Sequence, residues 1–269
     1  MLLQVKDEAT TAKSIETKTE TTITTTIATT KMNGVRTQNA IYKQSNVSLL
    51  EVFAVCFTLG LLFAIEIWSL FHSLRHSLLI WYCIFLECYF ISEFSSSCLY
   101  QPSTVTSKSF LIYGVKGNGL FWFMQGLTVI EYLLTSSLSL WVPYWVSKLV
   151  SLVGTLCICI GLFIRHAAMK QCGDSFSHYI ATKKLSHHKL KQDGIYSVLR
   201  HPSYFGFWLF AIGIQLLLNN YVNFIVDIIV LHVFFKKRVA YEEYMLIQFY
   251  GEAYRRYQNR VGVYIPFIS

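Results

Sequence analysis

The chain predicts an all-α polytopic integral membrane protein with about six transmembrane helices, and three observations carry that prediction. Hydrophobic residues make up 54% of 269 positions and charged residues only 14%, a balance foreign to a soluble domain of this length. The apolar residues gather into runs that approach or reach the ~20 residues needed to cross ~30 Å of hydrocarbon. Inside such a run the bilayer admits little besides a helix, because every backbone N–H and C=O must be satisfied within the segment.

Residues 1–45 are Thr-rich and of low complexity, typified by Thr21-Thr22-Ile23-Thr24-Thr25-Thr26, with too few large apolar groups to offset the entropy of ordering; they predict a disordered tail. The tail has no apolar core of signal-peptide type, so the first hydrophobic segment is expected to act as an uncleaved anchor. The block 46–164 holds four candidate spans, at 48–71, 78–100, 117–139 and 144–164. The block 165–269 opens with a polar loop and continues with two shorter apolar runs, 201–218 and 220–236. Asn219-Asn220 joins those runs, which predicts a tight helical hairpin, tilted or partly sunk in the membrane, with Pro202 suited to a first helical turn. An amphipathic C-terminal segment follows.

Orientation follows from where the basic residues accumulate. The loop 165–202 carries Arg165, Lys170, Lys183, Lys184, Lys189, Lys191 and Arg200 against Asp174 and Asp193. The segment 236–269 carries Lys236, Lys237, Arg238, Arg255, Arg256 and Arg260 against Glu242, Glu243 and Glu252. Both predict a cytosolic position. Four spans before the loop and two after it then place both termini in the cytosol. The uncharged connection 138–147 agrees, and Arg75, near the other lumenal turn, dissents mildly. The net charge of +8 is thereby assigned to membrane orientation and not to nucleic acid. Seven cysteines form no CxxC and no His/Cys cluster at zinc spacing, so no metal is expected. Adjacent His187 and His188 diverge and do not change that.

Polar groups stand at both mouths of the last helix pair: Arg200-His201-Pro202-Ser203-Tyr204-Phe205-Gly206 before it, Arg238-Val239-Ala240-Tyr241-Glu242-Glu243 after it. Charges clustered at a bilayer boundary suggest a polar site beside an apolar one. Taken alone, His201 reads equally as a loop-ending interfacial residue, Arg238 beside Lys236 and Lys237 as positive-inside anchoring, and Glu242-Glu243 as a solvated helix face. Tyr250, Ala253, Tyr254 and Tyr257 fall at i, i+3, i+4 and i+7, which favours a packing stripe over a cofactor box. Glu66, Glu87, Glu93, Glu131 and Asp227 lie in apolar runs and are expected to face helix partners.

A longer series of residues carries a resemblance: Ala167-Ala168-Met169, Gly173, Ser175-Phe176-Ser177-His178, His188, Leu190, Gly194-Ile195-Tyr196-Ser197, the turn 200–206, Phe234-Phe235, Arg238, Glu242-Glu243, and Phe249-Tyr250-Gly251-Glu252-Ala253-Tyr254 through Val261 to Ile265-Pro266-Phe267-Ile268. Together they resemble the isoprenylcysteine carboxyl methyltransferases, densely over 165–268 and more thinly before it. The six-span layout is similar to the fungal branch of that family. The His-Pro-x-Tyr turn with its Glu pair is shared with phospholipid methyltransferases and, loosely, with membrane sterol reductases; the block 167–196 favours the prenylcysteine enzyme.

The resemblance implies methyl transfer from S-adenosylmethionine to the carboxylate of a prenylated cysteine, on CaaX proteins whose last three residues have been removed, at the endoplasmic reticulum membrane. It implies a cofactor set of His188, Lys189, Leu190, Lys191, Tyr196, His201, Pro202, Ser203, Tyr204 and Glu242, together with Ala181, where the family usually has glutamine. Tyr241 replaces one acid of a longer Glu run. Arg238 is suited to hold the acceptor carboxylate, since its planar fork can grip one oxygen or both. The rival functions are a phospholipid N-methyltransferase and, further off, an NADPH-dependent sterol reductase. The acceptor is expected to enter sideways from the bilayer, between the hairpin 201–236 and an earlier span, and the methyl donor from the cytosolic side.

Overall fold

The computed structural model describes residues 48–72, 77–102, 105–114, 117–138, 142–185, 188–266 and 268. The Thr-rich tail 1–45, Arg75 and His187 lie outside them. Among the described residues there are seven α-helices and no strand: α1 (Leu49–His72), α2 (Ser77–Tyr100), α3 (Asn118–Leu138), α4 (Tyr144–Cys172), α5 (Pro202–Leu218), α6 (Tyr221–Tyr250) and α7 (Glu252–Gln258). Three of them, α1, α2 and the helix beginning at Tyr144, are each long and apolar enough to cross a membrane, and α5 is a shorter apolar helix. On α1 Leu59 alone is buried, so its large side chains face outward, as they would toward lipid.

Two helices run further than their apolar stretches. The last apolar run ends at 236, yet α6 continues unbroken to Tyr250, because a change from apolar to charged residues does not by itself end a helix. The helix stops where the chain meets Gly251, at φ +55°. Arg238 and Glu242 consequently occupy successive turns of one helix. Likewise α4 passes 164 and ends at Cys172 before Gly173, φ +57°, so Arg165 belongs to a buried helix face and not to the loop.

The closest helix packing joins α4 to α5. A Cβ placed on Gly161 would stand 2.6 Å from the Gly206 carbonyl oxygen, and one on Gly206 would stand 2.6 Å from that of Gly161; Gly154 and Gly213 meet in the same way two turns along. Lipid gives helices little hydrophobic reason to associate, so small residues that let backbones touch are what hold such a pair. Tyr89, Phe90, Tyr132, Ile158, Phe210 and Ile214 fill the core beside it.

A buried polar layer pins α3 to the start of α6. Glu131 accepts the N–H groups of Val222 (2.8 Å) and Asn223 (2.7 Å), the first-turn donors of α6 that have no partner within their own helix. Asn220 donates to the Thr128 carbonyl oxygen, and Gln215 donates to both Thr128 Oγ1 and Asp227. Glu93, Glu131 and Asp227 thus have helix partners. Glu66 and Glu87 are the exceptions: Glu66 Oε2 and both carboxyl oxygens of Glu87 are buried without a hydrogen-bond partner among the described residues.

Candidate functional site

The candidate site lies where residues 173–185 and 188–201 meet the C-terminal parts of α4 and α6 and the start of α5. Gln171, in the last turn of α4, clamps the segment by accepting from the Ile195 N–H (2.9 Å) and donating to the Asp193 carbonyl oxygen (2.5 Å). Gly194, at φ +52°, makes the turn that this grip requires. Tyr196 donates to the Ala168 carbonyl oxygen, and burial pushes its own hydroxyl pKa well up.

Arg165 fixes the entry to α5. Its guanidinium forms a two-pronged pair with Glu93 and also donates to Ser203 Oγ (2.9 Å) and the Ser203 carbonyl oxygen (3.2 Å). All of these groups are buried, so the turn 201–204 is bolted to α2 and α4 by charge-assisted bonds. Sequence spacing did not reveal this pair, since 72 residues separate its members.

The two glutamates of α6 separate into different environments. Glu243 is buried, accepts from His201 Nε2 (3.1 Å) and Gln258 Nε2 (2.8 Å), and forms an ion pair with Arg200, whose Nε stands 3.0 Å away. Burial pushes its pKa up, but the bonds from His201 and Gln258 and the Arg200 charge outweigh that and leave it below the usual carboxylate range. Glu242 points elsewhere, accepting the Tyr204 hydroxyl. That hydroxyl in turn accepts from Arg238 Nε (2.8 Å), while Arg238 Nη2 donates to the His178 carbonyl oxygen (2.6 Å). The guanidinium also stands over the Tyr204 ring, 5.2 Å from its centre.

Two cavities meet at this point. The first is lined by Ala181, His188, Lys189, Leu190, Lys191, Tyr196, His201, Pro202, Ser203, Tyr204 and Glu242, which is the whole set implied by the family resemblance. The second, largely apolar, runs between α2, α3, α5 and α6, with Tyr89, Phe121, Phe210, Leu231 and Phe235 on its walls and Arg238 at its polar end. Phe176, Ser177, Ser203 and Tyr204 line both. Leu120 on α3 and Phe234 on α6 line the apolar cavity while remaining about half exposed, at 50% and 44%.

His178, beside Arg238 in the second cavity, is held neutral, its pKa pushed down to about 4 by burial, with Glu93 opposing and Arg165 and Arg238 reinforcing the shift. Tyr250, which ends α6, and Tyr254 and Tyr257 on α7 all line the first cavity, so the stripe packs and lines a cavity at once although Gly251 divides it between two helices. Its periodicity was visible in the sequence; that it faces a cavity was not. No three His, Cys, Asp or Glu side chains cluster as metal ligands among the described residues.

A family model for isoprenylcysteine carboxyl methyltransferases matches residues 152–248. The protein-S-isoprenylcysteine O-methyltransferase of Saccharomyces cerevisiae is 37% identical over 222 residues, covering 81% of this chain and 91% of that protein. The chain belongs to the isoprenylcysteine carboxyl methyltransferase family. The Schizosaccharomyces pombe enzyme of the same name is 33% identical over 68% of this chain and 81% of its own length. The fold is similar to the solved eukaryotic intramembrane Ras methyltransferase, with TM-score 0.72 and 24% identity over 90% of this chain and 86% of that one. The isoprenylcysteine carboxyl methyltransferase match ends within α6, so α7 and its tyrosines fall outside it.

Proposed function

We propose that this protein transfers a methyl group from S-adenosylmethionine to the C-terminal carboxylate of a prenylated cysteine, in CaaX proteins from which the last three residues have been removed. The observation that carries the reading is the junction of a polar, aromatic cavity with an apolar one at Tyr204, with Glu242 on one side of that ring and Arg238 on the other. Relatives named protein-S-isoprenylcysteine O-methyltransferase support it.

The first cavity fits the donor chemically. Tyrosine rings offer π faces to a sulfonium and flat surfaces to a base, and Glu242 can accept from hydroxyl or amino groups. Ala181 offers no side-chain polar group where the family usually has glutamine. When bound, S-adenosylmethionine supplies a methyl group on a positively charged sulfur.

The acceptor carboxylate has a pKa of about 3.5 and is ionised at neutral pH, so no general base is required. What the protein contributes is orientation and exclusion of water. Arg238 Nε and Nη2 are held by Tyr204 and the His178 carbonyl oxygen, which fixes the plane of the guanidinium and leaves Nη1 for the acceptor. A fifteen-carbon prenyl chain gains about 10 kcal/mol by remaining in hydrocarbon, which favours entry from the bilayer. The half-exposed Leu120 and Phe234 mark the gap between α3 and α6 as that route, with Glu131 tying the same helices together below it.

The remaining assignments belong to the same reading: six spans, an endoplasmic reticulum location, both termini and the donor entrance in the cytosol, and division into a tail 1–45, a helical block 46–164 and a catalytic block 165–269. The test offers purified protein a farnesylated cysteine derivative and phosphatidylethanolamine with labelled donor. Base-labile label on the cysteine derivative is expected; label on the phospholipid alone would overturn the assignment.

A further inference from the structure

We propose that Tyr254 is a further donor-binding residue, its hydroxyl hydrogen-bonding the adenine base of the methyl donor, so that α7 completes the donor site. The inference rests on the donor reading of the first cavity. Tyr254 lines that cavity, is 1% exposed, and its hydroxyl has no hydrogen-bond partner among the described residues. Native proteins leave few buried hydroxyls unsatisfied, because each forfeits the hydrogen bonds it made in water. Tyr257, three residues along the same helix, shows the ordinary arrangement: its hydroxyl donates to the Tyr196 carbonyl oxygen at 2.6 Å. Two tyrosines of one short helix therefore differ in a specific way, one satisfied within the protein and one not.

The surroundings select the part of the donor. Leu190, Leu246, Ile247, Tyr250 and Val261 form an apolar cluster with Tyr254 and Tyr257, and Leu190, Leu246 and Tyr250 line the cavity with it. An amino-acid end carrying both ammonium and carboxylate would lose its hydration against such walls. The base is the flat, uncharged portion of the donor, with apolar faces and a polar edge. A wall of aliphatic and aromatic groups that includes the uncommitted Tyr254 hydroxyl matches that shape, since a tyrosine hydroxyl can donate to a ring nitrogen or accept from an exocyclic amine.

The test measures binding, not turnover. S-adenosylhomocysteine and 5′-methylthioadenosine, which keeps the adenosine and lacks the amino-acid end, are titrated against full-length wild type and Tyr254→Phe in detergent. Competition with labelled donor serves where affinity is weak. Tyr254→Phe is expected to weaken both ligands by the same factor, roughly tenfold, with an unchanged melting temperature in their absence. Unchanged affinity for S-adenosylhomocysteine would overturn the proposal. So would a loss confined to S-adenosylhomocysteine, which would place the hydroxyl at the amino-acid end. A wild type that binds neither ligand would remove the donor site itself, and this inference with it. If Tyr254→Phe does not fold, wild type alone decides: failure to bind 5′-methylthioadenosine while binding S-adenosylhomocysteine would sink the adenine contact.

Discussion

Arg238 and Glu242 stand one turn apart on α6 and are joined through a single phenol, that of Tyr204, which accepts from the first and donates to the second. The two residues assigned to opposite substrates are therefore parts of one hydrogen-bonded unit, and a change at either is felt by the other. Residues in one network are not energetically independent.

This coupling is measurable. Arg238→Ala should leave S-adenosylhomocysteine affinity within a few-fold of wild type while turnover of prenylcysteine collapses. Glu242→Ala should cost donor binding about 1–3 kcal/mol. In a double-mutant cycle on turnover the two should be non-additive, and in a Tyr204→Phe background they should approach additivity. Additivity with Tyr204 intact would show that the phenol does not couple them.

Neighbouring glutamates should give opposite phenotypes. Glu243→Ala strands the Arg200 charge and removes the partner of His201 and Gln258, which predicts a loss of about 3–5 kcal/mol of stability. Glu242→Ala removes one partner of a hydroxyl that Arg238 still holds, so its effect should fall on donor affinity instead. Thermal unfolding in detergent beside calorimetric titration distinguishes them; similar melting temperatures for the two variants would contradict the division.

Substituting Gly161 tests the helix contact that positions the turn 201–204. Gly161→Ala puts a methyl group 2.6 Å from the Gly206 carbonyl oxygen, and overpacking of this kind costs about 1–3 kcal/mol. The displacement should also lower activity, since Arg165 and Ser203 lie along the same seam. Gly126→Ala, where nothing stands within 4 Å, is the control and should leave both stability and activity unchanged.

Acid should destabilise the fold through His178. Its pKa falls from 6.5 unfolded to about 4 folded, so below 6.5 the unfolded chain binds the proton and the native protein does not. Stability from this group is complete above pH 6.5 and declines until about pH 4. Glu243, with a depressed folded value, adds a second loss at lower pH, beginning near its unfolded value of 4.5 and running through its folded one. His178→Gln should flatten the melting-temperature profile between pH 6.5 and 4.5; an unchanged slope there would show that the imidazole is not the group titrating.

Local chemistry was enough to place α1, α2 and the apolar part of α4, whereas the candidate cofactor residues came from the resemblance to a family. Apolar runs announce α1, α2 and α4 because hydrocarbon length and backbone satisfaction are requirements each segment must meet by itself. Tertiary structure decided what lies far apart in sequence. Glu93 and Arg165 are 72 residues apart, Tyr204 and Arg238 are 34 apart, and Glu131 meets Val222 across 91. Nothing in either member of such a pair specifies the other, since many polar groups could satisfy it. The difference between Glu242 and Glu243, identical and adjacent, arises only because α6 continues past its apolar stretch and turns one toward the cavity and the other into a buried cluster. Tyr254 and Tyr257 differ for the same reason: a helical stripe is a local pattern, but which of its hydroxyls meets a protein partner depends on what the rest of the fold brings against it.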